Sequence, residues 1–482
     1  MNSINWQGIC YINGCLLFGL AIAMLLPALS DLFFFKEDKA FGFLIGFMVC
    51  FAIGSALVLA NWTKQKMILG QREAFLITTL VWVVLSFFSS FPLYIIVQDL
   101  PFIDAFFECV SALTTTGATI LKKMETMPRS ILLWRALLQW LGGVGIIVIA
   151  MSFFPALRIG GMQLFRSEFS DRYEKILPKI SQISLSLLLS YSFFTALCAF
   201  LFYFSGMNAF DAFCHSMGTI STGGLSNYSD SIKYFNSSTI EFIASIFMII
   251  GGTTLMLFIR MFYNDWKAMF KDSQFKTFIS FLCFFSGVVV FWLWFVEQHS
   301  FLDAIRYGIF NVISCLTTTG YNNTGISWHP FCYVIFFFLG CIGGCTGSTT
   351  GGIKIFRVQV LFTIARNHMR HLRRPQAVLI PKFQGQKITD AVAFSVFTLI
   401  TLYIFMLVLL TILLSISGVD FQIAFSSAGS ILGNVGINLE SLLRETEHVN
   451  IFSKLIIILG MICGRLELLT VLILFMPTFW KN

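Results

Sequence analysis

Nine stretches of this chain, at 11–34, 40–60, 74–97, 130–156, 182–206, 238–262, 277–296, 388–417 and 453–477, are apolar runs that leave a polypeptide few ways to fold. About 20 such residues in a helix cross a hydrocarbon core of ~30 Å, and a helix satisfies its own backbone hydrogen bonds there. The expected fold class is therefore an all-α polytopic membrane protein. Composition agrees: 57% of the 482 residues are hydrophobic and 12% are charged, against roughly 25% charged in soluble domains. The first run follows an uncharged MNSINWQGIC and precedes further spans, so it reads as a retained helix rather than a cleaved signal. The 12 cysteines are scattered through apolar segments without paired CxxC spacing, as small buried residues rather than zinc ligands.

The net charge of +8 is concentrated in four connections. Lys64, Lys66 and Arg72 lie in the first, Arg158, Arg166, Arg172, Lys175 and Lys179 in the second, and Arg260, Lys267, Lys271 and Lys276 in the third. The fourth holds Lys354, Arg357, Arg366, Arg370, Arg373, Arg374, Lys382 and Lys387. The remaining connections mix signs or lean acidic, so the positive-inside rule places the four basic ones, and both termini, on the cytoplasmic side. Basic charge here reports orientation in the bilayer and not binding to nucleic acid.

Between basic connections the chain goes out and returns four times, and each outer stretch holds a segment too short to span: 104–119, 211–226, 303–322 and 420–438. This predicts a two-helix N-terminal extension (1–62) and four helix–pore loop–helix repeats in pseudo-fourfold arrangement, at 63–176, 177–272, 273–382 and 383–482. Each short segment opens on aspartate (Asp104, Asp211, Asp303, Asp420), a favoured helix N-cap. Each closes on a glycine after small polar or β-branched residues: Thr115-Thr116-Gly117, Ser221-Thr222-Gly223, Thr318-Thr319-Gly320 and Asn434-Val435-Gly436.

Non-helical backbone at membrane depth is tolerated where protein buries it or where it lines a water-filled path. Four half-helices directing their partly negative C-terminal ends inward favour a cation between them. Carbonyls of the following turns, with threonine hydroxyls beside them, are suited to replace the hydration shell of an ion. One threonine-glycine cluster alone is more often a helix contact, but four in matching places point to a lined pore.

The third inward helix is interrupted by GCIGGCTGSTTGG (340–352), rich in Gly343, Gly344, Gly347, Gly351 and Gly352. Such a stretch cannot hold a lipid-facing helix and reads as a buried loop that obstructs the path and moves aside. It is not a phosphate loop, since Gly352 is followed by Ile353-Lys354-Ile355 and not by lysine and a hydroxyl residue. Arg465 lies inside the last span, where a charge is costly and marks a functional position, with Glu467 or the Gly-rich loop as candidate partners. His368 and His371 fall in the basic fourth connection and His215 in the second short segment, none with metal-ligand company.

The four short segments, QWLGGVGIIVIAM (139–151), GGMQLFRSE (160–168) and GRLELLTVLILF (464–475) together resemble the Trk/Ktr/HKT superfamily of cation transporters, above all its bacterial Trk potassium-uptake branch. The resemblance covers nearly the whole chain. It implies a K⁺ pore within one subunit, usually a homodimer in the bacterial inner membrane, with filter glycines at Gly117, Gly223, Gly320 and Gly436. It further implies that the Gly-rich loop is an intramembrane gate, and that Arg465 projects toward the path. A peripheral nucleotide-binding regulator of the TrkA kind is implied on the cytoplasmic side. The fourth segment departs from the pattern, because Ile437-Asn438 follows its glycine where Trk proteins usually carry Pro-Gly. No organic cofactor is expected. The rival class, a polytopic membrane enzyme or respiratory-complex subunit, needs intramembrane histidine pairs or carboxylate chains that this sequence does not offer.

Overall fold

The computed structural model describes residues 4–63, 70–152, 180–262, 265–326, 328–377, 379–436 and 450–480. The GGMQLFRSE stretch, the second basic connection and Ile437-Asn438 lie outside the described residues. Two helices, α1 (Trp6–Ser30) and α2 (Ala40–Ala60), pack side by side as a hairpin at the periphery. Gly14 faces Gly54 across the pair, so the backbones approach closely, as small residues permit between membrane helices. The hairpin turn is organised by buried Asp31, whose carboxylate accepts from the backbone N–H groups of Glu37, Lys39 and Ala40 at 3.2, 2.7 and 2.8 Å.

The first repeat follows as α3 (Gln71–Ile96), the short α4 (Phe102–Leu113) and α5 (Arg129–Ser152). Repeat two contains α6 (Ile180–Phe204), the short α7 (Ala209–Ile220), then α8 (Ser238–Gly252) and α9 (Leu255–Phe262). A small helix, α10 (Lys267–Lys271), leads to repeat three: α11 (Ser273–Phe295), the short α12 (Phe301–Leu316), α13 (Pro330–Ile342) and α14 (Ile355–Arg373). After a tight hairpin pairing Lys382–Phe383 with Gln386–Lys387 comes repeat four: α15 (Asp390–Ile416), the short α16 (Phe421–Gly433) and α17 (Ile451–Arg465). Each repeat thus places a helix of 12, 12, 16 or 13 residues between an outward and an inward helix. At 1.5 Å per residue these are too short to span.

Two expectations about these elements are corrected. The aspartates of the first three short helices are not N-caps. Pro101, Asn208 and Ser300 occupy the cap positions, and Asp104, Asp211 and Asp303 stand in the first turn. Asn208 and Ser300 accept the N–H of Asp211 and Asp303, which leaves each carboxylate near the partly positive helix end and available for other contacts. Asp420 does sit at the cap, but its side chain makes no capping bond.

The runs at 238–262 and 453–477 are not straight spans. Helices α8 and α9 meet at 94°, and α17 meets the following turn Leu469–Phe475 at 112°. With the break between α13 and α14, three of the four inward helices are therefore broken near the level at which the short helices end. Only α5 continues through, over Gly142-Gly143. Seven described helices are long and apolar enough to cross a membrane, and the two bent pairs bring that to nine.

The repeats close into a ring. Lys454 of repeat four pairs with Asp104 of repeat one at 2.5 Å, and Arg306 of repeat three pairs with Glu241 of repeat two at 2.6 Å. Arg135 of repeat one donates to the Ser226 carbonyl of repeat two, and Phe337 of repeat three stacks on Phe425 of repeat four. Every repeat thereby touches the next in chain order, and the fourth returns to the first.

Candidate functional site

At the C-terminal end of each short helix the backbone turns through the same geometry. The N–H of Thr116 reaches back to the Ser111 carbonyl at 2.9 Å, and Gly223 reaches Gly218, Thr319 reaches Ser314 and Val435 reaches Ser430 at the same distance. One residue earlier, Thr115, Thr222, Thr318 and Asn434 all hold positive φ, between 52° and 54°. These two features correct the reading of Gly223 as the second repeat's counterpart of Gly117. The glycine corresponding to Gly117 (φ 80°) and Gly320 (φ 84°) is Gly224 (φ 74°), and Gly223 occupies the place of Thr116, Thr319 and Val435.

The four turns interlock. A Cβ built on Gly117 would lie 2.1 Å from the Gly223 carbonyl oxygen, and one on Gly224 would lie 1.8 Å from the Thr319 carbonyl oxygen. On Gly436 it would lie 2.8 Å from the Gly117 oxygen and 3.0 Å from that of Thr116. Gly117, Gly224 and Gly436 each abut a carbonyl of the neighbouring turn, so only a residue without Cβ fits there, and Gly117, Gly224 and Gly320 hold left-handed backbone as well. Gly117, Gly224, Gly320 and Gly436 together floor one cavity of about 340 Å³, walled by residues 119–124 and 225–231.

Hydroxyls brace the turns from behind. Thr114 Oγ1 lies 2.8 Å from Thr116 Oγ1, and Thr317 and Thr319 repeat the pair at 2.8 Å. Ser111 donates to the Ala118 carbonyl at 2.5 Å and Ser314 donates to the Tyr321 carbonyl at 2.7 Å. Asn434 links the ring across its ends, donating through Nδ2 to Thr116 Oγ1 at 2.9 Å. Farther out, each of the first three short helices presents one side chain to the segment leaving its turn. Glu108 accepts from Thr119 Oγ1 and the Ile120 N–H, His215 meets Ser226 Oγ at 3.0 Å, and Asn311 donates to Asn323 at 2.7 Å.

Below the ring lies the Gly-rich loop, fully built into the protein. Thr349 Oγ1 sits 3.0 Å from Thr222 Oγ1 and donates toward the Ile220 and Gly251 carbonyls, while the Gly351 N–H donates to Thr318 Oγ1 at 2.9 Å. The Thr349 and Cys345 N–H groups bond the carbonyls of Gly251 and Gly252, which are exposed by the break between α8 and α9. Gly343, Gly344, Gly351 and Gly352 each meet backbone atoms at contact distance, and Gly347 turns the loop with φ 77°.

Arg465, 3% exposed, donates to the Thr349 carbonyl at 2.7 Å and to the Gly142 carbonyl at 3.3 Å. Of the two candidate partners the loop is the one observed, because Glu467 pairs with Arg357 at 2.5 Å instead. Lys354 caps the same loop from Nζ to the Thr350 carbonyl and hydroxyl. From there α14 carries Arg366, Arg370 and Arg373 away on a largely exposed surface that includes His368 and His371.

Sequence reasoning passed over Gly224, Arg135 and Gln139. A signal was present for the last two, since an arginine and a glutamine inside the apolar run 130–156 are as unexpected as Arg465. Among the described residues no group of His, Cys, Asp and Glu is arranged to hold a metal ion.

Comparison with known proteins identifies the architecture. A family model described as a TrkH cation transport protein matches residues 39–482. The chain is 36% identical over 485 residues to the Trk system potassium uptake protein TrkH of Escherichia coli, covering 99% of this chain and 100% of that one. It is 35% identical over 488 residues to the Trk system potassium uptake protein TrkI of Halomonas elongata, covering 99% and 97%. The crystal structure of the potassium transporter TrkH from Vibrio parahaemolyticus superposes with a TM-score of 0.90 at 33% identity, over 99% of this chain and 100% of that one.

Proposed function

The chain belongs to the TrkH family of cation transport proteins, a family of multi-pass membrane transporters and not of enzymes, and on that premise we propose that it takes up K⁺ through a pore at the axis of its four repeats. The single observation that carries this reading is the convergence of four glycine turns on one cavity, with the Gly-rich loop bonded directly beneath two of them. In the proposed mechanism K⁺ enters from the cavity and exchanges water for backbone carbonyl oxygen at the ring. It lies there at the partly negative ends of four short helices. Threonine hydroxyl pairs brace the first and third turns from behind.

The Gly-rich loop acts as the gate. Thr349 and Gly351 close the path by their bonds to Thr222 and Thr318, and Arg465 holds the loop in place while placing a cation under the ring that opposes passage. Opening requires the loop to leave these bonds, and α14 is the covalent lever, since it begins at Ile355 directly after the loop. Inward flow follows the membrane potential, worth about 2.3 kcal/mol per charge per 100 mV. Any cotransported ion would use the same path as a symport.

The reading further includes a bacterial inner-membrane location with both termini cytoplasmic, a homodimer, and a TrkA-type nucleotide-binding subunit docked on the basic face. The arginines of α14 support that docking. Uptake rescue in potassium-requiring cells tests the core of the proposal by comparing wild type with Gly320→Ser. Rescue by wild type and none by the variant is expected, and equal rescue by both would sink the filter assignment.

A further inference from the structure

Repeat two lacks both hydroxyls that brace the turns of repeats one and three. Where repeats one and three have Ser111 and Ser314, repeat two has Gly218, and where they have Thr116 and Thr319 it has Gly223. The space is not empty. Gln139, from α5 of repeat one, is fully buried, with its amide carbon and nitrogen 2.5 Å from the position of a Cβ on Gly223 and its Oε1 3.2 Å from that of a Cβ on Gly218. Its Oε1 accepts the Leu225 N–H at 3.3 Å, tethering the strand that in repeats one and three is tethered by serine. Among the described residues its buried Nε2 has no hydrogen-bond partner, and it lies against the backbone of the second turn.

We infer that Gln139 is a positioning residue for the ion-selective ring, a side chain lent by repeat one that stands in for the two hydroxyls missing from repeat two. This rests on the reading of the ring as a K⁺ filter. A fully buried amide nitrogen without a fixed acceptor is an expensive arrangement to keep, and a leucine would fill the same volume without that cost. The second turn keeps the Ser221 and Thr222 hydroxyls, which bond the Gly218 and Ser221 carbonyls, and the amide takes the place of the two hydroxyls that Gly218 and Gly223 lack. Two glycines and one glutamine form a single unit: a side chain on Gly223 collides with Gln139, one on Gly218 meets the Tyr321 hydroxyl at 2.7 Å and Gln139 Oε1 at 3.2 Å, and Gln139 removed takes away the brace on Leu225.

The test measures K⁺ and Na⁺ uptake by the full chain in potassium-requiring cells, per molecule in the membrane, for wild type, Gln139→Leu, Gly223→Thr and the double variant Gln139→Ala/Gly223→Thr. Gln139→Leu is expected to lower the K⁺-to-Na⁺ uptake ratio about tenfold, the equivalent of one lost buried hydrogen-bonding group, and to raise the half-saturating K⁺ concentration more than it lowers the maximal rate. Gly223→Thr alone, in collision with Gln139, is expected to be at least as impaired. The double variant has room for a threonine arranged like Thr116 and Thr319, and recovers the ratio.

An unchanged ratio in Gln139→Leu, or a double variant no better than the worse single, overturns the inference. Should Gln139→Leu fail to accumulate, the double variant decides: a wild-type ratio supports the inference and a lowered one overturns it. If the wild-type chain itself does not distinguish the ions, the transport reading fails, which is a separate result from wild type and Gln139→Leu discriminating equally.

Discussion

The Arg465 guanidinium donates to the Thr349 carbonyl at 2.7 Å, joining the end of the last inward helix to the middle of the Gly-rich loop across 116 residues of chain. Arg465 and Thr349 are both buried, and among the described residues Arg465 Nε has no hydrogen-bond partner. A charge-assisted bond of this kind contributes about 1.5–3 kcal/mol.

Arg465→Ala is therefore expected to favour the open loop by roughly tenfold or more and, having removed a cation from the path, to raise the initial rate of K⁺ uptake at saturating K⁺. Initial rates in potassium-depleted cells measure this directly. A rate below that of wild type at equal membrane abundance contradicts the assignment of Arg465 as a latch.

Gly224→Ala is predicted to abolish uptake. The substitution forces a Cβ to within 1.8 Å of the Thr319 carbonyl oxygen at φ 74°. Backbone strain alone costs about 1–3 kcal/mol, and displacement of that carbonyl disturbs the neighbouring turn as well, so uptake is expected to fall roughly 100-fold or more. Gly117→Ala meets the Gly223 carbonyl at 2.1 Å and behaves alike. Normal uptake by either variant would show that the interlocked turns are not the narrowest part of the path.

Much of this was legible in the sequence, for physical reasons. Hydrophobic runs of sufficient length dictate the number of spans, and a polar cluster repeated between them marks the four turns that line one cavity. The register of the second turn was not legible, because Ser221-Thr222-Gly223-Gly224 offers two glycines and only the backbone bond from Gly223 to Gly218 decides between them. The helix breaks after Gly252 and Arg465 were hidden for a similar reason. Carbonyls freed at Gly251 and Gly252 are satisfied by Thr349 and Cys345 of the Gly-rich loop, far along the chain, and that compensation is invisible in the local sequence. The first-turn aspartates were misread as caps because the true caps, Asn208 and Ser300, lie three residues earlier, inside what reads as loop. Contacts between repeats, such as Gln139 with Gly223, are set by ring closure and leave only the faint trace of a polar residue in an apolar run.

The outer loops are joined by Glu125, which accepts from the Ser229 N–H at 2.7 Å and the Ser229 hydroxyl at 3.0 Å. The Ser229 N–H holds the Glu125 carboxyl below its usual range. A depressed carboxylate pKa means that the tie contributes fully above the unfolded value, near pH 4.3, and is lost as pH falls through the lower folded value. Hydrogen exchange at the Ser229 amide is expected to be slow near neutrality and to lose protection only below about pH 4. Glu125→Gln should show weaker protection at neutral pH and little dependence on acid. A wild-type amide unprotected at pH 7 would show that the two loops are not tied.

Glu108 and Arg135 separate stability from transport. Their ion pair, at 2.7 Å with side chains 0% and 2% exposed, lies behind the first turn. Breaking a buried pair by removing one partner costs about 3–5 kcal/mol, because the other charge stays buried and alone, whereas replacing both by apolar residues of similar size is often nearly neutral. Glu108→Leu should therefore lower the thermal midpoint of the detergent-solubilised protein by several degrees, and Glu108→Leu/Arg135→Met should recover most of that loss. Transport is not expected to recover with it. Glu108 also holds Thr119 Oγ1 and the Ile120 N–H, and Arg135 lines the cavity while bonding the Ser226 carbonyl, so the double variant leaves the segments after two turns without their anchors. The expected result is a stable protein with K⁺ uptake reduced about tenfold, one or two buried hydrogen bonds being lost near the ring. A double variant that regains both stability and uptake would reduce the pair to a packing element. One that regains neither would mean that the hydrogen bonds to Thr119, Ile120 and Ser226, rather than the charges, support this part of the fold.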